Sequence, residues 1–170
     1  MTSSRPADAF ESAAAARAAA SHPDVDVLAL AASLNLVRLA TQHAQQLEAS
    51  VHRPAGWSMA GFRVMFSVWV GGALEPREIA RLSGLSRAAV SSALNTLERD
   101  DLVVRMRESS DRRLVTVRLT AAGQTRLEAA YRQENAAETD FFAPLTRAEQ
   151  EAFVALTRKL LDGHRARPMS

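Results

Sequence analysis

The sequence predicts a mainly α-helical chain carrying one short β-hairpin, and three observations support that expectation. Residues 75–103, EPREIARLSGLSRAAVSSALNTLERDDLV, place two runs of helical apolar spacing around a Gly-containing turn. Residues 109–123, SSDRRLVTVRLTAAG, form a polar turn that feeds an alternating run and then a helix start. On both sides lie long stretches whose large apolar residues recur every three or four positions. Together these features describe a winged helix-turn-helix, three helices plus a β-hairpin wing, with N- and C-terminal helices forming a dimerisation region.

Each element has a local cause. Pro76 suits a first helical position, because its fixed φ is helix-like and its missing N–H would have no partner there. Ile79, Ala80 and Leu82 supply a short apolar face, and Gly84 stands where a helix end needs positive φ. Ser86 is placed to cap the second helix by accepting a backbone N–H bond. Val90, Leu94 and Leu97 recur at spacings of four and three, so they share one buried face. The opposite face holds Arg87, Ala88, Ser91, Ser92 and Asn95. Its small side chains let a helix enter a major groove while hydroxyl, amide and guanidinium groups reach bases and phosphates. Ser86 and these five residues are the expected DNA contacts of a recognition helix.

Residues 102–108 and 114–119 read as the two strands of the hairpin. In the second, Val115, Val117 and Leu119 alternate with Leu114, Thr116 and Arg118, the period of a half-buried strand. The turn between them carries Asp111, Arg112 and Arg113. An arginine at a hairpin tip suits the narrow, negative minor groove, whereas Asp111 is expected to orient an arginine, since phosphates repel a carboxylate.

The order of elements, the Leu-Glu late in the recognition helix, the D-x-R at 111–113 and the L-T-A-A-G at 119–123 resemble the MarR family of bacterial transcriptional regulators over residues 57–123. The resemblance implies a homodimer on a pseudo-palindromic operator in double-stranded DNA, usually a repressor released by a small molecule or an oxidant. It also implies that Arg113 enters the minor groove. Two positions depart from the family pattern. Asp101 stands where relatives usually have Gly, and Ser92 stands where many carry Arg.

Composition agrees. The formal charge is only +2, but residues 77–118 hold nine arginines against six acidic residues, whereas residues 120–162 hold five basic against seven acidic. The basic excess sits where phosphate contacts are needed. The absence of cysteine excludes disulfides and thiolate sensing. His22, His43, His52 and His164 have no metal-like spacing, and no Gly-rich cofactor loop or catalytic constellation is present, so neither metal, cofactor nor enzymatic activity is expected. No stretch is apolar enough for a bilayer and no leader pattern opens the chain, which points to a cytoplasmic protein without membrane partners.

The expected organisation is a flexible Ala/Ser-rich tail at 1–23, an N-terminal dimerisation helix at 24–56, the winged domain at 57–119 and C-terminal dimerisation helices at 120–166. In the first of these helices Val27, Leu30, Leu34, Val37, Thr41 and Ala44 form one stripe, and Leu28, Leu36, Leu39 and Leu47 extend it to more than one face. Thr146 is placed to cap a last helix bearing Phe153, Leu156 and Leu160. Ser58 similarly opens a helix whose Phe62, Met65, Phe66 and Trp69 share a face and which ends at Gly71-Gly72. His43, Trp57 and Phe62 are the candidate ligand contacts, for an effector such as an aromatic acid. The competing reading is a winged-helix dimer that serves as a protein-interaction module without DNA.

Overall fold

The structure is a computed structural model that describes residues 6–107 and 115–165. The chain divides into two compact units, 1–48 and 49–170.

The first unit holds α1, Pro6–Ser21, and α2, Val27–Leu47. Helix α1 occupies most of the segment expected as a flexible tail. Its alanines have the highest intrinsic helix propensity, and Asn35 Nδ2 of α2 donates to Glu11 Oε2 at 2.7 Å. Asp26 starts α2 by accepting from Leu28 N and Ala29 N, both at 3.0 Å, so the helix begins just after the N-cap rather than at Asp24. Leu28, Leu36 and Val37 lie exposed along α2.

A π-helical turn, Glu48–His52, and a single helical turn α3, Arg53–Ala55, follow. Helix α4, Met59–Gly71, is capped by the Ser58 hydroxyl and ends at Gly72, whose φ of 73° is open to glycine. Helix α5, Pro76–Ser83, starts with Pro76 and a capping box between Glu75 and Glu78, and Gly84 closes it in the left-handed region. Its buried residues are Ile79 and Ser83. Leu82, expected on the apolar face, points outward, because in so short a helix residues four apart fill the inward face. Arg63 of α4 donates to the Ser83 carbonyl, satisfying one orphan acceptor at that helix end.

Helix α6, Arg87–Arg99, is capped by Ser86 and buries Val90, Leu94 and Leu97. Strands β1, Val103–Arg107, and β2, Val115–Leu119, pair antiparallel with Val103 opposite Leu119 and Arg105 opposite Val117. Leu74 adds a bridge to Val117 on the other edge of β2. Helix α4 lies at the centre of the unit, packed against α5, α6, β2 and α7, Ala121–Phe142. Val64, Met65, Ile79, Leu94, Val117 and Leu127 have 1% or less of their surface exposed and form the core beneath α6.

The passage from α6 into β1 turns on Asp101. Its φ of 55° is the one positive value at a non-glycine residue among those described. Leu102 N bonds to Leu97 O at 2.8 Å and Asp101 N to Glu98 O at 3.1 Å, a complete Schellman closure. Aspartate therefore takes a left-handed position, which it does more readily than most L-residues.

The L-T-A-A-G run closes the wing. Thr120 Oγ1 accepts from Gly123 N at 2.9 Å and donates to Asp101 O at 2.7 Å, while Thr120 N donates to Leu102 O. A Cβ on Gly123 would stand 1.9 Å from that same carbonyl oxygen. Glycine is required there by close backbone approach rather than by a turn.

Thr146 and Glu149 form a capping box at the start of α8, Arg147–Arg165. Gln150 Nε2 ties that start to the Phe142 and Leu145 carbonyls, both at 3.1 Å. Farther along α8 the Phe153 ring lies 5.7 Å from that of Phe142 at the end of α7, while Val154, Leu156, Leu160 and Leu161 are exposed. No described helix is long and apolar enough to cross a membrane.

Candidate nucleic-acid interface

The face of α6 opposite Val90, Leu94 and Leu97 is open. Arg87, Ala88, Ser91, Ser92 and Asn95 are all exposed along it, in the register the apolar spacing implies. Ser86 also lies exposed, and its hydroxyl is engaged by Ala89 N at 3.1 Å as the helix cap. Any DNA contact it makes therefore comes from an oxygen already holding the helix start. Arg87 has no ion-pair partner among the described residues, so its charge is available to an external anion.

Beside α6 runs an open groove of about 710 Å³, lined by Pro76 and Arg77 of α5, by Arg87, Ser91, Leu94 and Asn95 of α6, and by Arg105 and Val115 of the hairpin. Three of its eight lining residues are arginines, each from a different element. Arg77 is exposed and held by Glu75 at 2.9 Å. Arg105 is more enclosed, with about 30% of its side chain exposed, and reaches two acceptors on α6. Its Nη1 donates to Glu98 Oε2 at 2.6 Å and its Nη2 to Asn95 Oδ1 at 2.8 Å. Neither Arg77 nor Arg105 was singled out from the sequence. A cue was present for Arg105: it stands two residues after Val103, on the inward face of an alternating strand, where a charge needs a partner.

Asp111, Arg112 and Arg113, the expected wing tip, lie outside the described residues. The strands on either side of them are in place, with Arg107 opposite Val115 at the end of the paired ladder.

Trp57 and Phe62 belong to the second unit. His43 belongs to the first unit. Phe62 is a core residue, with ring centroids 4.7 Å from His52 and 5.5 Å from Phe66. Trp57 is buried and lines a separate cleft of about 260 Å³ with Ser58, Gly61, Ser92 and Thr96, from which Phe62 is absent. The Arg126 guanidinium sits 5.2 Å from the centre of its ring, and Arg126 also donates to Ala55 O at 2.7 Å. The indole N–H of Trp57 is buried with no hydrogen-bond partner among the described residues.

The same unit buries an acid. Glu134 of α7 is 6% exposed, with Oε2 3.8 Å from Nε2 of the fully buried His52. Burial, reinforced by the neighbouring Glu138 carboxylate, pushes the Glu134 carboxyl up to about 7.

Residues 57–115 match the family model described as the MarR family. The HTH-type transcriptional regulator YwaE of Bacillus subtilis is 35% identical over 134 residues, spanning 79% of this chain and 78% of YwaE. The PcaV transcriptional regulator of Streptomyces coelicolor, solved in complex with its natural ligand, superposes with a TM-score of 0.72 at 25% identity, covering 81% of this chain and 96% of PcaV. A MarR mutant from E. coli, solved with operator DNA, shares the fold with a TM-score of 0.68 at 21% identity, covering 74% of this chain and 90% of that one.

Proposed function

The chain belongs to the MarR family of winged helix-turn-helix transcriptional regulators, and from that premise we propose that it is a homodimeric, ligand-responsive repressor of a pseudo-palindromic operator. One observation carries the reading: the exposed polar face of α6 and the arginines of α5 and β1 border a single open groove. Such a surface offers phosphates point charges and base edges short polar groups. Ser86, Arg87, Ala88, Ser91, Ser92 and Asn95 are the proposed major-groove contacts. Arg112 and Arg113 are the proposed wing contacts, with Asp111 orienting them.

The second chain is proposed from exposed apolar surface. Val154, Leu156 and Leu161 of α8 stand 43%, 62% and 60% exposed, and Leu28 and Val37 of α2 stand 78% and 63% exposed. A monomer would leave these helices wet, whereas pairing them with their copies in a second chain covers them. Ligand response is proposed by likeness to the ligand-bound Streptomyces relative, with Trp57 a candidate contact because its indole N–H is buried and unpaired. An aromatic acid would supply an acceptor for that N–H and a ring for the cleft.

The experiment is a footprint on DNA flanking the protein's own gene, repeated with a panel of aromatic acids. Two protected half-sites about 10 base pairs apart, centre to centre, and their loss with one of the acids, are expected. A folded protein that protects nothing would refute DNA binding. Protection that no acid alters would refute this class of effector alone. Arg113→Ala should cost about 1 to 3 kcal/mol of operator affinity and lower the salt slope by about one ion per subunit. An unchanged slope would remove the wing from the interface.

A further inference from the structure

We infer that Arg105 is a positioning residue that fixes which end of the Asn95 side-chain amide faces DNA, so that Asn95 offers base edges hydrogen-bond donors only. The inference rests on the DNA-binding reading above and deepens it. An asparagine on a bare helix face can turn its amide either way, and the familiar adenine contact uses both ends, the oxygen accepting from N6 while the nitrogen donates to N7.

Here the choice is already made. A guanidinium carries donors and no acceptor, so the Asn95 atom 2.8 Å from Arg105 Nη2 is necessarily the oxygen, and the amide hydrogens lie on the other end. The second tine of the fork bonds Glu98 Oε2 at 2.6 Å. Asn95 and Glu98 are three apart on α6, adjacent on one helix face, and so present two acceptors to one planar fork. Arg105 is itself anchored: it pairs with Val117 in the hairpin, and Val103 on the same side of β1 is 2% exposed.

Accepting from a charged donor also polarises the amide. Its N–H becomes a better donor, and its oxygen a poorer second acceptor. Asn95 then prefers an edge made of acceptors. Guanine presents two in the major groove, N7 and O6, whereas adenine places a donor beside its N7. One guanine in each half-site, in preference to adenine, is what this clamp selects.

The test selects bound sequences from a pool of randomised DNA duplexes using the full-length native protein, Arg105→Ala, Arg105→Lys and Asn95→Ala. Affinities for the selected duplex and its single-position guanine-to-adenine variants follow at fixed salt. The native protein should show one guanine per half-site at which adenine weakens binding roughly tenfold. Both Arg105 variants should reduce that preference to about twofold or less and leave the other positions as they were, since lysine keeps the charge and loses the fork. Asn95→Ala should lose the same position, and adding Arg105→Ala to it should change nothing more there. Should Arg105→Ala fail to fold, the lysine and Asn95 variants carry the comparison. Arg105 variants that weaken binding to every sequence alike while the guanine preference persists, or that alter a position Asn95→Ala leaves intact, would overturn the inference and leave DNA binding standing. A native protein that enriches no sequence would overturn both.

Discussion

Helices α6 and α8 are both amphipathic, yet they differ in how far the described chain covers their apolar residues. Helix α6 buries Val90, Leu94 and Leu97 to 1% exposure, its N-terminus is capped by Ser86, and its C-terminus closes through Asp101 and Leu102. Helix α8 has an equally regular start, with Thr146 and Glu149 in a capping box, but Leu156 and Leu161 remain in solvent. Local signals alone thus produce a helix, while its burial depends on what packs against it. The apolar face of α6 is covered within its own chain, whereas α2 and α8 leave apolar residues exposed that a second chain can cover.

The largest test of that contrast attacks the outer face. Leu156→Asp combined with Leu161→Asp should leave the monomer folded, because both sites are exposed in the single chain, and should weaken dimerisation by about 5 kcal/mol by forcing two charges from each chain into an apolar interface. Light scattering beside circular dichroism reads both effects, and an intact dimer would place pairing elsewhere.

Gly123→Ala attacks the closed side. The Leu102 carbonyl stands 1.9 Å from the new Cβ, so the start of α7 must move away from the wing base. A loss of at least about 3 kcal/mol in denaturant unfolding is expected. A near-neutral outcome would show that the approach of α7 to β1 is softer than the contact implies.

Glu134→Gln probes the one buried acid among the described residues. A carboxyl raised from 4.5 to about 7 binds its proton more tightly in the folded chain. Stability from this group is therefore full below pH 4.5 and falls as pH rises towards 7, where the buried charge must form. The amide should remove that slope and recover about 3 kcal/mol above pH 7, as an order of magnitude. Parallel stability curves for the two proteins would mean that the carboxylate is accommodated by His52 or by rearrangement.

Asp101→Gly should have the smallest effect, a gain of about 1 kcal/mol from relieving a left-handed φ of 55° at a residue with a Cβ. A loss instead would assign the aspartate a role its backbone does not reveal.

These contrasts also mark what could be read from residues alone. The caps at Ser58, Ser86, Thr120 and Thr146, the turn at Gly84 and the strand alternation around Val117 were legible because each depends on neighbours within a few positions. The same local logic misplaced Leu82, whose spacing fits an apolar stripe that an eight-residue helix does not fill. Hidden altogether was the π-helical turn at Glu48–His52. The candidate site was half legible. Periodicity oriented the exposed face of α6, but the Arg105 fork depends on how β1 returns past α6, and the apposition of His52 and Glu134 depends on α7 arriving from far along the chain.

A hinge needs slack, and the Leu102 carbonyl leaves none. Its oxygen takes the Thr120 N–H and occupies the place where Gly123 lacks a side chain, so the wing base and the first turn of α7 rotate as one lever. Helix α7 is 22 residues long, an arm of about 33 Å at 1.5 Å per residue. Over such an arm, a displacement of about 3 Å at the far end of α7 corresponds to a turn of about 5° at the wing.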